Sequence, residues 1–168
     1  MVTYRFAVPS DAAQILKYTK IIGSESDFLS YGAEGLPVTL EQETRFLHSI
    51  QADPYNRFFL ALDGEQLIGC SNLSGSNRPR FSHRRELGIS VLRDYWGKGV
   101  GTGLMEQMIQ YAKGTGVELI TLSVRADNLR AKSLYRRFGF VLCGTWPSYI
   151  KVGSRSFDVD MMAMRVRP

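Results

Sequence analysis

Three stretches of this chain hold residue types that can do chemistry. The first is Val91-Leu92-Arg93-Asp94-Tyr95-Trp96-Gly97-Lys98-Gly99-Val100-Gly101-Thr102, where an apolar run passes through alternating glycines into an amphipathic segment. Glycines, lacking Cβ, let a backbone approach an anion closely, and successive amides can point into one concavity. A helix N-terminus adds a partial charge of about +0.5, so the stretch suits a phosphate or pyrophosphate. Two familiar phosphate loops do not fit it. The dinucleotide fingerprint wants glycine where Thr102 or Leu104 stands, and the Walker pattern wants glycine and Ser/Thr where the chain has Leu92 and Gly99. The second stretch runs from Asn128 to Phe140 and contains Tyr135. A phenol with an ordinary pKa near about 10 is protonated at neutral pH and can give its proton to a departing anion. Tyr135 also shares a helical face with Ala131, Leu134 and Phe138, a spacing that equally suits a core aromatic. The third stretch, His83 to Glu86, leads into the first and holds two candidate bases. Imidazole titrates near about 6.5, which suits base work. Glu86 follows Arg84-Arg85 and can instead simply pair with them.

The elements that must position these groups follow from periodicity and punctuation. Thr3 to Val8 reads as a strand. Ser10 or Asp11 then caps a helix with Ala12, Ile15, Leu16 and Ile22 on one face. Gly23 to Pro37 reads as a polar loop. Thr39-Leu40-Glu41-Gln42 is a capping box opening a second helix that carries Phe46, Leu47 and Ile50, with His48 packed among them. Arg57 to Leu62 and Gln66 to Leu73 flank Asp63-Gly64, a hairpin signal with positive φ expected at both turn positions. His83 to Leu92 is a strand, a helix follows to Lys113, and Glu118 to Val124 is a strand. Asn128 to Phe138 is a helix closed at Gly139, and Phe140 to Gly144 starts another strand. Tyr149 to Val152 and Phe157 to Val166 form a closing hairpin around Gly153-Ser154. The order predicts an α/β (α+β) fold whose twisted sheet is partly antiparallel and partly parallel, flanked by helices.

Composition bounds the function. The chain has 168 residues, 44% of them apolar and 22% charged, which fits one domain spanning 1–168 and excludes low complexity. Cys70 and Cys143 stand far apart without metal-ligand spacing, so free, packed thiols in a reducing, cytoplasmic setting are expected, with no metal. No signal-like segment or membrane-length apolar run is present. The 21 basic residues exceed the 16 acidic ones by a net +5, but they form no stripe with interleaved aromatics, so neither nucleic acid nor membrane is an expected partner.

Trp96-Gly97-Lys98-Gly99-Val100-Gly101 resembles the Gln/Arg-x-x-Gly-x-Gly/Ala acyl-CoA pyrophosphate loop of the GNAT superfamily of N-acetyltransferases, with Trp96 in place of the Gln/Arg. Val124 to Phe140 is similar to that superfamily's V-x-x-x-N-x-x-A-x-x-L-Y-x-x-x-G-F unit at every fixed position. The resemblance implies a GNAT fold and transfer of the acetyl group of acetyl-CoA to an amine, directly and in a ternary complex. It implies that Ile89, Ser90 and Val91 lie on a bulged strand whose backbone meets pantetheine and polarises the thioester carbonyl. Gly97, Lys98, Gly99, Val100, Gly101 and Thr102 become the pyrophosphate cradle, Asn128 a partner of the pantetheine arm, and Tyr135 the acid for the departing thiolate. Arg130, Lys132, Arg136 and Arg137 are within the region that could meet the 3′-phosphate, although a solvated helix face explains most of them. Some relatives carry a glutamate base where this chain has Ser123, which leaves Glu86 or His83, acting through water. Glu25, Asp27, Tyr31 and Glu34 fall in the loop where such enzymes build the acceptor site; acids there suit a cationic amine, though solvated loop charges are commoner. The acceptor stays open among polyamines, aminoglycosides, amino acids and protein amines. A homodimer, a longer acyl group and a CoA-binding regulatory module without turnover also remain compatible.

Overall fold

The computed structural model describes residues 1–166. Seven strands, β1 (Val2–Phe6), β2 (Arg57–Asp63), β3 (Gln66–Ser74), β4 (Arg84–Val91), β5 (Leu119–Arg125), β6 (Val141–Val152) and β7 (Arg155–Arg165), form one sheet in the order β1-β2-β3-β4-β5-β7-β6. Four helices flank it: α1 (Ala12–Glu25), α2 (Leu40–Gln51), α3 (Val100–Gly114) and α4 (Leu129–Arg137). Every strand pair is antiparallel except β4 with β5. That pair is connected through α3, as a parallel crossover requires.

Local sequence accounts for the element ends. At α2 the Thr39 hydroxyl accepts the Gln42 N–H at 3.2 Å, and the Gln42 amide oxygen accepts the Thr39 N–H at 2.8 Å. Before α1 the Asp11 side chain caps no helix amide. Its carboxylate takes the Arg5 guanidinium in two 2.7 Å bonds and the Val8 N–H at 2.8 Å, pinning β1 to the start of the helix. Two expectations are corrected here. In the β2–β3 hairpin Asp63 pairs with Gln66 inside the ladder, so the turn residues are Gly64 and Glu65, and only Gly64 has positive φ (59°). That is the pattern of a turn with glycine at its first central position. The C-terminal segments merge into one long β6, interrupted by register shifts at Leu142/Gly144 and Trp146/Ile150.

Two cores sit on opposite faces of the sheet. Under α3 and α4 lie Leu104, Met105, Met108, Ile120, Tyr135, Phe140 and Met162. Under α1 and α2 lie Ile15, Tyr18, Leu47, Leu60, Leu67 and Cys70. Three packing expectations fail on exposure: Phe46, His48 and Cys143 are exposed, while Glu43 occupies the buried face of α2. Cys143 is expelled because it falls in the first β6 register shift, where a bulged residue has no partner across the ladder.

Candidate active site

The site begins with a disagreement between neighbouring strands. β4 and β5 pair only at Arg84↔Leu119, Arg85↔Ile120 and Glu86↔Thr121. Beyond that, β4 continues along β3 to Val91↔Gly69, and β5 continues along β7 to Arg125↔Val159. Each strand follows its other partner, so the sheet opens into a wedge at the C-terminal ends of β4 and β5. Leu92 donates its N–H to the Ile68 carbonyl at 2.9 Å, which sets the phase of the ladder. Gly88 and Ser90 therefore bond β3, and the peptide groups of Ile89 and Val91 turn into the wedge. The expected bulge in β4 is absent: its register against β3 is unbroken from Glu86 to Val91. Parting of two parallel strands exposes the same amides that a bulge would have freed.

The glycine-rich stretch lies directly past the wedge. A 3-10 turn, Arg93–Tyr95, leads into Gly97 and Gly99, with φ of 74° and 83°. A Cβ at either would meet nothing within 4 Å, so the loop faces open space. No side chain caps α3, and the amides of Val100, Gly101 and Thr102 stand at its free N-terminus. At Gly101 a Cβ would lie 3.2 Å from Leu134, so this glycine lets α3 and α4 approach. Open space, uncapped amides and a helix dipole of the right sign fit a pyrophosphate. Lys98 adds a nearby cation, its ammonium 5.3 Å from the centre of the Tyr95 ring. Trp96 turns back instead of facing solvent. Its indole N–H donates to the Val91 carbonyl at 2.7 Å, and Arg130 of α4 lies over its ring at 4.6 Å.

Across the wedge, Asn128 is the N-cap of α4, its Oδ1 accepting the Ala131 N–H at 3.2 Å, which leaves its Nδ2 as the group free to donate. Tyr135 is 6% exposed and packs against Phe140 at 5.9 Å. Its hydroxyl has no hydrogen-bond partner among the described residues, yet Ser71 Oγ is the only sealed, unpaired side-chain atom there. The Tyr135 oxygen therefore keeps access to open space. Burial pushes its pKa up to about 12.

Of the two candidate bases, Glu86 is the last β4 residue paired with β5, so it stands at the apex of the wedge, exposed. It shares a face with Ser90 by strand alternation. His83 precedes β4, and its carbonyl accepts the Glu118 N–H at 2.8 Å. Six residues of strand, roughly 20 Å, separate it from Ile89, so Glu86 is the nearer of the two to the wedge. Ser90 faces α1, where its hydroxyl meets Tyr18 Oη at 2.9 Å and Cys70 Sγ at 3.4 Å. Burial pushes the Cys70 thiol up to about 11, so it stays a thiol at neutral pH. Lys132 is not available to a phosphate: its ammonium is 2.5 Å from Asp160 and donates to the Ala126 carbonyl. That ion pair, with Thr145, holds the Asp160 carboxyl below its usual range.

Above the wedge mouth, the loop after α1 and the β6–β7 hairpin enclose a cleft of about 750 Å³. Arg93 and Trp96 form its third wall. The loop is seated by contacts that cross much of the chain. Gly23 has no room for a Cβ, which would lie 1.9 Å from the Gly32 carbonyl oxygen. Arg125, at the end of β5, is 5% exposed and sandwiched between the Phe28 and Phe157 rings at 4.3 and 3.7 Å. It forks onto both Asp127 oxygens and reaches Asp27 at 3.3 Å. Sequence reading passed over Arg125. Its signal, a basic residue between Val124 and Asp127 in the Val124–Phe140 unit, looks there like an ordinary variable position.

A mixed sheet split between its two parallel strands, with a glycine-opened helix start beside the split, defines the N-acetyltransferase fold class. The model of the acetyltransferase (GNAT) family matches residues 25–140, and the chain belongs to that family. It is similar to the N-alpha-acetyltransferase RimI of Mycobacterium tuberculosis, 35% identical over 102 residues, covering 60% of this chain and 62% of that one. It is also similar to the L-amino acid N-acetyltransferase AaaT of Escherichia coli, 32% identical over 61% of this chain and 63% of that one. The matches thus span under two thirds of these relatives' lengths. Among solved structures, a GNAT-family acetyltransferase from Streptococcus pneumoniae superposes with a TM-score of 0.94 at 28% identity, over 98% of this chain and 99% of that one. YncA of Salmonella typhimurium, solved with its cofactor acetyl-CoA, shares the fold, with a TM-score of 0.86 at 17% identity over 100% and 95% of the two chains.

Proposed function

We propose that the protein is an acetyl-CoA-dependent N-acetyltransferase that works by direct transfer in a ternary complex. The observation that carries this reading is the wedge: peptide groups of Ile89 and Val91 turned into a gap whose mouth adjoins an uncapped, glycine-opened helix N-terminus. Acetyl-CoA supplies the activated thioester. Val100, Gly101 and Thr102 bind the pyrophosphate through their amides, and the edge of β4 pairs with the pantetheine amides while an unpaired N–H polarises the carbonyl. Asn128 Nδ2 donates to the pantetheine arm.

Amines with pKa values near about 10 arrive mostly protonated. In this reading Glu86, at the wedge apex, removes that proton through water. The freed amine bonds the carbonyl carbon as the C–S bond breaks, and Tyr135 protonates sulfur while the second nitrogen proton replaces the one it gave. A phenol held up to about 12 is fully protonated at neutral pH. No cysteine is placed for an acyl-enzyme, since Cys70 is buried as a thiol and Cys143 lies on the outer strand β6. Calorimetry with CoA and acetyl-CoA tests the binding half, and thiol release with a panel of amines tests turnover. Micromolar binding followed by acceptor-dependent thiol release is expected. Tight binding with no release across the panel makes the chain a CoA-responsive module instead, a reading favoured by Ser123 standing where some relatives have a glutamate.

A further inference from the structure

The cleft above the wedge is lined by Glu25, Asp27 and Glu34, acids of a kind that suit a cationic amine. The structure shows each of them already committed. Glu25 Oε2 accepts the Arg93 N–H at 2.8 Å, and the Arg93 guanidinium bonds the Glu25 carbonyl in return. Asp27 pairs with Arg125 at 3.3 Å. Glu34 Oε1 accepts the Gly32 N–H at 2.8 Å, and backbone N–H donors hold its carboxyl below the usual range. These contacts fix the three carboxylates in the positions that seat the loop.

The cations are distributed differently. Arg93 is shared between the Glu25 carbonyl and the Trp96 ring, 5.7 Å away. Lys151, on the β6 wall, is exposed and has no hydrogen-bond or ion-pair partner among the described residues. Arg93 and Lys151 face the acids across the cleft, so the lining carries both signs of charge. The rest of the lining is apolar at Phe28, Leu29, Trp96, Ile150 and Val152, with serines and glycines of the loop between them. Volume and lining suit a small ligand with a few fixed polar groups.

We propose that this cleft takes a free amino acid with an apolar side chain, its carboxylate held by Lys151 and its amine directed at the wedge. The proposal rests on the N-acetyltransferase reading and names its acceptor class. Arg93 begins two residues past Val91, and Trp96 is bonded to the Val91 carbonyl, so one wall is continuous with the strand end where transfer occurs. A zwitterion matches a wall that carries both signs, and Lys151 supplies the uncommitted cation that a carboxylate needs. A peptide N-terminus has a neutral amide next to its amine and offers Lys151 a carbonyl in place of a carboxylate. A polyamine gives Lys151 nothing to pair with.

The test compares L-leucine, L-leucinamide, a leucine-initiated tripeptide and spermidine as acceptors, with thiol release as readout, in the wild type and in Lys151→Gln and Lys151→Arg. L-Leucine is expected to give at least a tenfold higher kcat/KM than the other three. Lys151→Gln should raise the KM for leucine at least tenfold and erase most of the preference over leucinamide, and Lys151→Arg should restore part of it. Acetyl-CoA affinity by calorimetry should stay within twofold in both variants, which separates acceptor loss from donor loss. Equal or better use of leucinamide, the tripeptide or spermidine overturns the proposal, as does an unmoved leucine KM in Lys151→Gln. If acetyl-CoA binds but no amine turns over, leucine binding to the CoA-loaded protein decides: weakening by Lys151→Gln supports the site, and no binding rejects it. Failure to bind acetyl-CoA at all instead removes the enzyme reading beneath it.

Discussion

Two loops meet over the wedge, and they are built on opposite principles. The loop at 97–102 works through backbone: glycines at positive φ, open space around them and amides that no side chain caps. The stretch at 25–36 works through side chains already spoken for by partners 68 and 98 residues away: Glu25 by Arg93 and Asp27 by Arg125. A donor common to a whole family can be gripped by backbone geometry, which any chain writes with the same few glycines. An acceptor must be distinguished by side chains whose roles exist only once distant segments have met. Damage to the first loop should therefore appear in donor binding, and damage to the second in acceptor KM.

The largest effect is expected from a residue serving both sides. Tyr135→Phe keeps the ring against Phe140 and deletes the proton. General-acid contributions run to about 10²–10⁴-fold, so kcat should fall by that order, with acetyl-CoA affinity within a factor of two. Full activity in this variant returns Tyr135 to a packing role. Its raised pKa also predicts an alkaline weakness. Tyr135 and Tyr31 are both held up to about 12 by burial, above the ordinary 10.0. The unfolded chain ionises first, so stability is full below about pH 10 and declines as pH rises from there toward 12. The melting temperature should drop across that window, and Tyr135→Phe should flatten the drop.

Next in size is Gly99→Asp. It places a carboxylate at the anion cradle and a Cβ where φ is 83°. CoA affinity should fall at least tenfold, about 1.4 kcal/mol. Calorimetry measures this, with circular dichroism checking the fold. Unchanged affinity in a folded variant would falsify the pyrophosphate assignment.

Arg125→Met makes the complementary break. It removes the fork to Asp127 and the stacking between Phe28 and Phe157. Each cation–π contact of a desolvated guanidinium is worth about 0.5–2 kcal/mol, and Asp27 and Asp127 are half-exposed enough to rehydrate. The loop should loosen, with acceptor KM rising about tenfold while CoA affinity holds within twofold. Equal losses for donor and acceptor would dissolve the division between the loops.

The same division explains what the sequence discloses. The strands, the α2 capping box, the glycine-opened start of α3 and the helix from Asn128 through Tyr135 are local, and each survives into the structure nearly as read. What escaped reading depends on separation along the chain. The wedge exists because β4 and β5 each prefer another partner, a competition no window of residues displays. Glu25 and Asp27 look like free acids until Arg93 and Arg125 arrive. Cys143 looks like packing until the β6 register slips. Glu43, which no local pattern singles out, lies on the buried face of α2, where burial pushes its carboxyl up.

Trp96 carries the smallest expected effect and sharpens the comparison most, because it belongs to the backbone loop yet acts through a side chain. Its indole N–H occupies the Val91 carbonyl, one of the groups turned into the wedge. A pantetheine amide pairing with β4 must take that acceptor or share it. Trp96→Phe keeps an aromatic ring beneath Arg130 and frees the carbonyl. A hydrogen bond contributes about 0.5–1.5 kcal/mol net, so CoA should bind several-fold tighter to the variant, and calorimetry can resolve that. Weaker binding would mean that the indole shapes the carbonyl for the donor rather than competing with it. The 97–102 loop would then depend on a side chain as much as its neighbour does, and the contrast between the two would narrow to one of degree.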